Sequence, residues 1–182
     1  MSKKLPYSGS AAKKGRDFYS SGINRLLNRI DKLEHQVFCC GDDTDEVIVI
    51  TDPEAQIGEN QDGAFILLDR AGGISLSLPD ATAKNIGWNA TVNVKTTFTG
   101  TMTISTGRTT DLFVGGINLA STTVAKSLAV QPDVSNDDQI VADADTKGRL
   151  AGGSLTFKIV EANRVFVSGN LVGSGTVATP FV

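Results

Sequence analysis

The chain has 182 residues, of which 40% are hydrophobic and 20% charged, and its formal net charge is −3. These values are ordinary for a folded protein and allow one β domain with an appended segment. The charge is unevenly distributed. Residues 1–34 hold eight basic and three acidic side chains, hence +5, which leaves −8 for the rest of the chain. A basic segment joined to an acidic domain indicates that the segment meets an acidic partner surface, with nucleic acid as the rival partner.

The sequence also bears on where the protein is made and on the state of its two cysteines. No apolar segment follows Lys3 and Lys4, so we expect no secretory signal. No apolar run approaches the ~20 residues that a membrane span needs, so no membrane partner is expected. Cys39 and Cys40 are adjacent and lack the C-x-x-C spacing of zinc sites. This pattern favours small buried or interfacial thiols in a protein made in a reducing cytosol.

Residues 1–19 predict an extended basic arm, because they show no hydrophobic period. Such an arm either stays mobile or becomes ordered on a partner. In the second case its cations pair with carboxylates of the partner, and its apolar side chains anchor the contact. The candidate partner-binding residues of the arm are Lys3, Lys4, Leu5, Tyr7, Lys13, Lys14, Arg16, Phe18 and Tyr19.

Residues 20–40 predict an amphipathic helix that Ser20 or Ser21 caps. Its apolar residues recur at spacings of three and four, as a and d positions do over two heptads. This stripe consists of Ile23, Leu26, Ile30, Leu33 and Val37. The stripe either packs on the β domain of its own chain or pairs with copies of itself. Leu27 widens the stripe, which suits a trimer or a helix packed on its own chain more than a dimer seam. From the stripe we predict a homotrimer.

Residues 46–182 predict a β domain. The acidic residues 42–46 before the first strand lack the glycine and the distal glutamate of a calcium loop and predict a solvated turn. Ile74, Leu76 and Leu78 alternate with serines, and the same period of two recurs through residues 91–95, 101–105 and 155–159. Strand-sized runs about every ten residues predict a mainly β fold, an antiparallel sandwich or barrel.

The alternation also predicts which side chains face the core and where the chain turns. The glycines Gly72 and Gly73 predict a hairpin in which either residue needs a positive φ. A second hairpin turn is expected at residues 161–163. The predicted inward side chains are Phe65, Leu67, Ile74, Leu76, Leu78, Val92, Val94, Ile104, Phe157, Ile159 and Val167.

Catalytic and metal-binding signatures are missing from the sequence. His35 is the only histidine, so a His-based metal cluster is not expected. The G-x-S-x-G nucleophile motif is absent. The glycine pairs 72–73 and 152–153 do not open a helix with a following Lys-Ser/Thr, as a phosphate-binding loop requires. The sequence therefore predicts a protein that is not an enzyme and that holds no metal or cofactor.

Six segments of the β domain form a series of short strands and turns: LLDRAGG at 67–73, ISLSLP at 74–79, VNVKTT at 92–97, MTIST at 102–106, DLFVGGI at 111–117 and VFVSGNLV at 165–172. In this order they resemble a module of tailed-phage virion proteins. The resemblance covers residues 62–179 and consists of strands and turns rather than of catalytic or ligand-binding residues. The sequence departs from the module at residues 163–166, NRVF, where an Asn-Trp-Tyr type of strand is usual.

This resemblance implies a capsid decoration or cement protein of a bacteriophage, located on the capsid surface of the virion. Its partner is then the major capsid protein, with a homotrimer on three-fold positions of the shell. The alternative is a tail-fibre or head-fibre module that binds a host receptor or glycan. Nucleic acid is not expected as a partner, because the β domain is acidic and poor in aromatic residues.

Overall fold

The computed structural model describes residues 47–182, and these form twelve β-strands and two short 3₁₀ helices. The predicted mainly β fold is confirmed. The strands lie in an eight-stranded sheet, here called sheet A, and a four-stranded sheet, sheet B. The predicted arm and helix, residues 1–19 and 20–40, lie outside the described residues.

The first six strands alternate between the two sheets. Sheet A takes β1, β3 and β5, and sheet B takes β2, β4 and β6. Their bounds are Val47–Ile50 (β1), Glu54–Gln56 (β2), Ala64–Leu68 (β3), Ile74–Ser77 (β4), Asn89–Val94 (β5) and Met102–Ser105 (β6). Because each strand is followed by one in the opposite sheet, neighbours within a sheet run in the same direction. All four pairings among these strands are therefore parallel.

The parallel pairing of β1 to β6 corrects the expectation of an antiparallel fold. Both sheets are mixed, and the antiparallel pairs of named strands are β5–β11, β11–β12, β8–β9 and β6–β10. The turn at Gly72 and Gly73 does not close a hairpin. It takes the chain from β3 in sheet A to β4 in sheet B. Alternation in a sequence specifies which face of a strand is buried, but the same pattern serves either pairing direction.

The second half of the chain completes both sheets. Its strands are Leu112–Gly115 (β7), Ile117–Ser121 (β8), Ser127–Val130 (β9), Gln139–Ala142 (β10), Leu150–Glu161 (β11) and Arg164–Gly173 (β12). The predicted last hairpin is confirmed as β11–β12, and Asn163 at its turn has a φ of 62°. β10 joins sheet B beside β6, and Phe181 near the C-terminus pairs with Ile140 of β10.

One hydrophobic cluster lies between the sheets and draws residues from both. The burial of nearly all the predicted inward residues is confirmed: Ile74, Leu76, Leu78, Val92, Val94, Ile104, Phe157, Ile159 and Val167 are buried. Phe65 and Leu67 were assigned to the wrong face. Ala64, Ile66 and Leu68 are the buried residues of β3, whereas Phe65 and Leu67 are half-buried. This run is apolar throughout, so it contains no alternation that could set its phase.

Close packing of turns explains the paired glycines. Gly73 has a φ of 100°, and a Cβ atom there would lie 2.6 Å from the backbone oxygen of Thr101. A Cβ at Gly100 would lie 2.3 Å from the backbone oxygen of Gly72. The turn after β3 therefore packs backbone to backbone on the turn before β6. The need for positive φ is confirmed for Gly73, whereas a Cβ at Gly72 would meet only the Arg70 side chain.

Candidate functional site

The residues that the sequence predicts for partner binding, between Lys3 and Tyr19, lie outside the described residues. The same holds for the oligomerisation stripe between Ile23 and Val37. Both remain predictions. The structure instead describes the domain that follows them, beginning at the strand β1.

An exposed apolar surface lies on the outer face of sheet A at β1. Val47 is 58% exposed and Val49 is 50% exposed. The parallel register places Phe65 beside Val47 and Leu67 beside Val49, on the same face of the sheet. We call these four residues the β1 patch. β1 ends the strand order of sheet A, and no described strand pairs with its outer edge. An apolar patch at such an edge is a typical site of contact with another protein.

The domain that bears this patch is acidic. Residues 47–182 hold nine basic and thirteen acidic side chains, a net charge of −4. Lys95 Nζ lies 2.6 Å from Asp69 Oδ2, and the hydrogen bonds from Lys95 and from Thr96 lower the pKa of the Asp69 carboxyl. The pKa of Asp133 is lowered as well, first by the backbone N–H of Ser135. Hydrogen bonds within the domain therefore stabilise the charged form of both carboxylates.

A buried carboxylate joins three connections of the fold. Asp111 is fully buried, just before β7, and its Oδ2 accepts the backbone N–H of Ala81 at 2.8 Å. Arg108 Nη2 donates to Asp111 Oδ1 at 2.8 Å, and Arg108 Nε donates to Asp111 Oδ2 at 3.3 Å. The carboxylate of Asp111 raises the pKa of Arg108. Two-point contact with a guanidinium supplies the charged hydrogen bonds that a buried carboxylate needs.

The Arg108 guanidinium extends this Asp111 network to the β11–β12 turn. Its Nη2 donates to Asn163 Oδ1 at 3.0 Å, and the backbone N–H of Asn163 donates to the Ala81 oxygen at 2.8 Å. Thr106 Oγ1 lies 2.8 Å from the Asp111 backbone oxygen. The network therefore holds together the β4–β5 connection, the β6–β7 connection and the last hairpin.

The Asp111 network is not predicted by the sequence. In the sequence, Asp111 stands at the start of the strand-and-turn segment DLFVGGI. The i, i+3 spacing of Arg108 and Asp111 is the only local signal that relates these two residues. The spacing alone does not reveal burial, which comes from Ala81 and Asn163, both distant in sequence. The geometry of the network indicates a structural role, because the Asp111 carboxylate is fully buried and both of its oxygens accept hydrogen bonds from residues of its own connection or of another.

The described residues contain neither a metal-binding cluster nor a membrane-spanning helix. No group of three or more His, Cys, Asp or Glu side chains in residues 47–182 is arranged to hold a metal ion. In the same part of the chain, no helix has the length and apolar character needed to cross a membrane.

Comparison with known proteins gave no relative: no family model, curated protein or solved structure matches this chain. The description of this protein therefore rests on its own structure. The described residues form a two-sheet β domain whose first six strands alternate between the sheets and pair in parallel.

Proposed function

We propose that this protein is a capsid decoration protein of a tailed bacteriophage, a non-catalytic component that binds the outer surface of the head shell. The observation that most supports the proposal is the charge asymmetry of the chain. Residues 1–34 have a net charge of +5, whereas the described β domain has −4. The resemblance of residues 62–179 to virion proteins supports the same conclusion. The major capsid protein is the proposed partner, and the bound protein resides on the virion.

The proposed orientation places the arm and the predicted helix against the shell, with the β domain projecting outward. The basic side chains of the arm pair with carboxylates exposed between capsid subunits. Such rim ion pairs contribute only about 0–1 kcal/mol each, so the apolar anchors Leu5, Tyr7, Phe18 and Tyr19 supply more of the affinity. A segment that spans neighbouring subunits resists the outward pressure of packaged DNA, which is the work of a cement protein.

Shell binding tests this orientation. A protein that lacks residues 1–20 should still fold, because the core of the β domain is built from residues after Val47. Mixed with bare expanded shells, it should bind far less than the full chain in a sedimentation assay. In the full chain, Phe18→Ala with Tyr19→Ala should weaken binding more than Lys3→Ala with Lys4→Ala.

Equal shell binding by the truncated and full chains would contradict the proposed orientation and implicate the β domain as the adhesive face. Copy number separates the two function classes. A decoration protein occurs in hundreds of copies per particle, whereas a fibre module occurs in tens, and quantitative gel analysis of purified virions measures the difference.

The proposed trimer gives a separate expectation. Native mass spectrometry of the free protein should show a species of three 19.1 kDa chains. Leu26→Asp with Leu33→Asp should convert it to monomer, because charges at d positions of the stripe oppose helix pairing. Leu128→Asp, a matched change at an exposed leucine of β9, should leave the trimer intact. A full chain that is monomeric both free and on the particle would eliminate the trimer.

A further inference from the structure

An open pocket of about 380 Å³ lies at the connection between β4 and β5. The short 3₁₀ helix Glu59–Gln61 borders it on one side and residues 84–88 on the other. Its volume falls in the range of small-molecule sites, ~300–1,000 Å³. The pocket is separate from the β1 patch and from the carboxylate of Asp111.

The walls of this pocket are held in place by the fold. Asn85 is 7% exposed and Trp88 is 4% exposed, although both belong to a connection rather than to a strand. The backbone of Gly87 donates to the Ile159 oxygen, and the backbone of Ile159 donates to the Trp88 oxygen, each at 2.9 Å. These bonds tie the connection to β11, so the site is formed before any ligand arrives.

Three oxygen atoms of residues that line the pocket have no hydrogen-bond donor among the described residues. Asn85 Nδ2 donates to Glu59 Oε1 at 2.9 Å and to the Asp80 oxygen at 2.8 Å. The Glu59 carboxylate and the Asp80 backbone oxygen can only accept hydrogen bonds, so the NH₂ group of Asn85 must point toward them. The other atom of this amide, Asn85 Oδ1, has no donor among the described residues. Asp62 Oδ1 accepts the backbone and side-chain N–H groups of Asn89 at 2.7 and 2.9 Å. One oxygen of each carboxylate, Glu59 Oε2 and Asp62 Oδ2, is still available.

One donor lines the same pocket. The ammonium of Lys84 has no ion-pair partner among the described residues. Trp88 lies in the wall of the pocket, but its indole Nε1 is closed to solvent, so a ligand in the open pocket does not reach that atom.

We propose that this pocket binds a pyranose sugar. A hydroxyl group both donates and accepts hydrogen bonds, so a ring with several hydroxyls satisfies Asn85 Oδ1, the free carboxylate oxygens and the Lys84 ammonium together. Ile86, 52% exposed at the pocket, offers an apolar contact to the C–H face of the ring. A metal ion would leave the Lys84 ammonium unpaired, and a simple anion would meet the carboxylates of Glu59 and Asp62. This inference does not depend on the proposed capsid role.

Trp88 makes the test specific, because it is the only tryptophan in the chain. Its fluorescence in the full-length protein is followed during titration with glucose, galactose and N-acetylglucosamine, each up to about 100 mM. At least one sugar should shift the emission with saturation, at a Kd on the order of 1 mM. The methyl glycosides form a second arm. Binding of the glycoside identifies the terminal residue of a glycan as the ligand form, whereas loss of binding identifies the free sugar.

Matched variants assign the response to the pocket. Glu59→Gln and Lys84→Met should each weaken sugar binding at least tenfold. The same changes elsewhere on the domain, Glu54→Gln and Lys126→Met, should leave it unchanged. The proposal is overturned if none of the three sugars shifts the emission, or if the shift survives both pocket variants. Saturation by calcium chloride or arginine, with no response to sugars, would overturn it in favour of a cation. Shell binding is measured independently, so failure of one proposal leaves the other standing.

Discussion

Leu76→Ala is expected to lower the free energy of unfolding by about 2–5 kcal/mol, the range found when a buried leucine is truncated in a core. Leu76 lies in the middle of β4 and is fully buried. β4 is paired on both sides, with β2 and with β6, so its backbone has little freedom to move into the space left by the lost methyl groups. The measurement is urea unfolding followed by circular dichroism.

Leu67→Ala is the matched control, because it removes the same atoms from a strand of the opposite sheet. Leu67 is half-buried on the outer face of β3, where its side chain already meets water. Its truncation should cost about 1 kcal/mol or less. A larger loss at Leu67 than at Leu76 would reverse the assignment of faces. It would also show that the β1 patch is covered in the intact protein.

Asp111→Ala is expected to destabilise the domain by on the order of 3 kcal/mol. The change removes charged hydrogen bonds, worth ~1.5–3 kcal/mol each in buried sites, and leaves the Ala81 N–H without an acceptor, which costs ~1–3 kcal/mol. Ala81 is fully buried, so its backbone N–H has no contact with bulk water in the native fold. Asp111→Asn should also destabilise the domain, because its amide group presents N–H donors to the guanidinium of Arg108.

Asp80→Ala is the control for this experiment. Asp80 Oδ2 lies 3.9 Å from Arg108 Nε, and both side chains are substantially exposed. A surface pair of this kind contributes about 0–1 kcal/mol, so its loss should hardly change the urea midpoint. If Asp80→Ala and Asp111→Ala gave equal losses, the network would act through surface charge rather than through the buried carboxylate.

The candidate pocket shows where prediction from the sequence stopped. Glu59, Asp62 and Lys84 stand in polar connections that look solvated, and Trp88 stands alone as a large apolar residue. Their convergence depends on Asn85, whose side chain links Glu59 to the backbone of Asp80. A hydrogen bond across 26 positions leaves no periodic trace in the sequence, because it is made only after the strands have paired.

Asp111 shows the same limit for charge. A carboxylate before the apolar run Leu112–Val114 reads as the end of a turn, and turn aspartates are usually solvated. Its burial requires Arg108, Ala81 and Asn163 to come together from three separate connections. The sequence shows that these residues are present, but it does not show that they lie close to Asp111 in the folded protein.

The sequence by itself determined the class of fold and most of its buried faces, since alternation with a period of two is a local property of a strand. Ile74, Leu76 and Leu78 have that alternation and are buried, whereas the continuous apolar run of β3 lacks it and was assigned the wrong phase. Only the tertiary structure decided which strands pair and in which direction. Pairing depends on whether a turn returns the chain to the same sheet or passes it to the other. At Gly73 that choice follows from packing on the turn at Gly100, a contact between residues far apart in the chain.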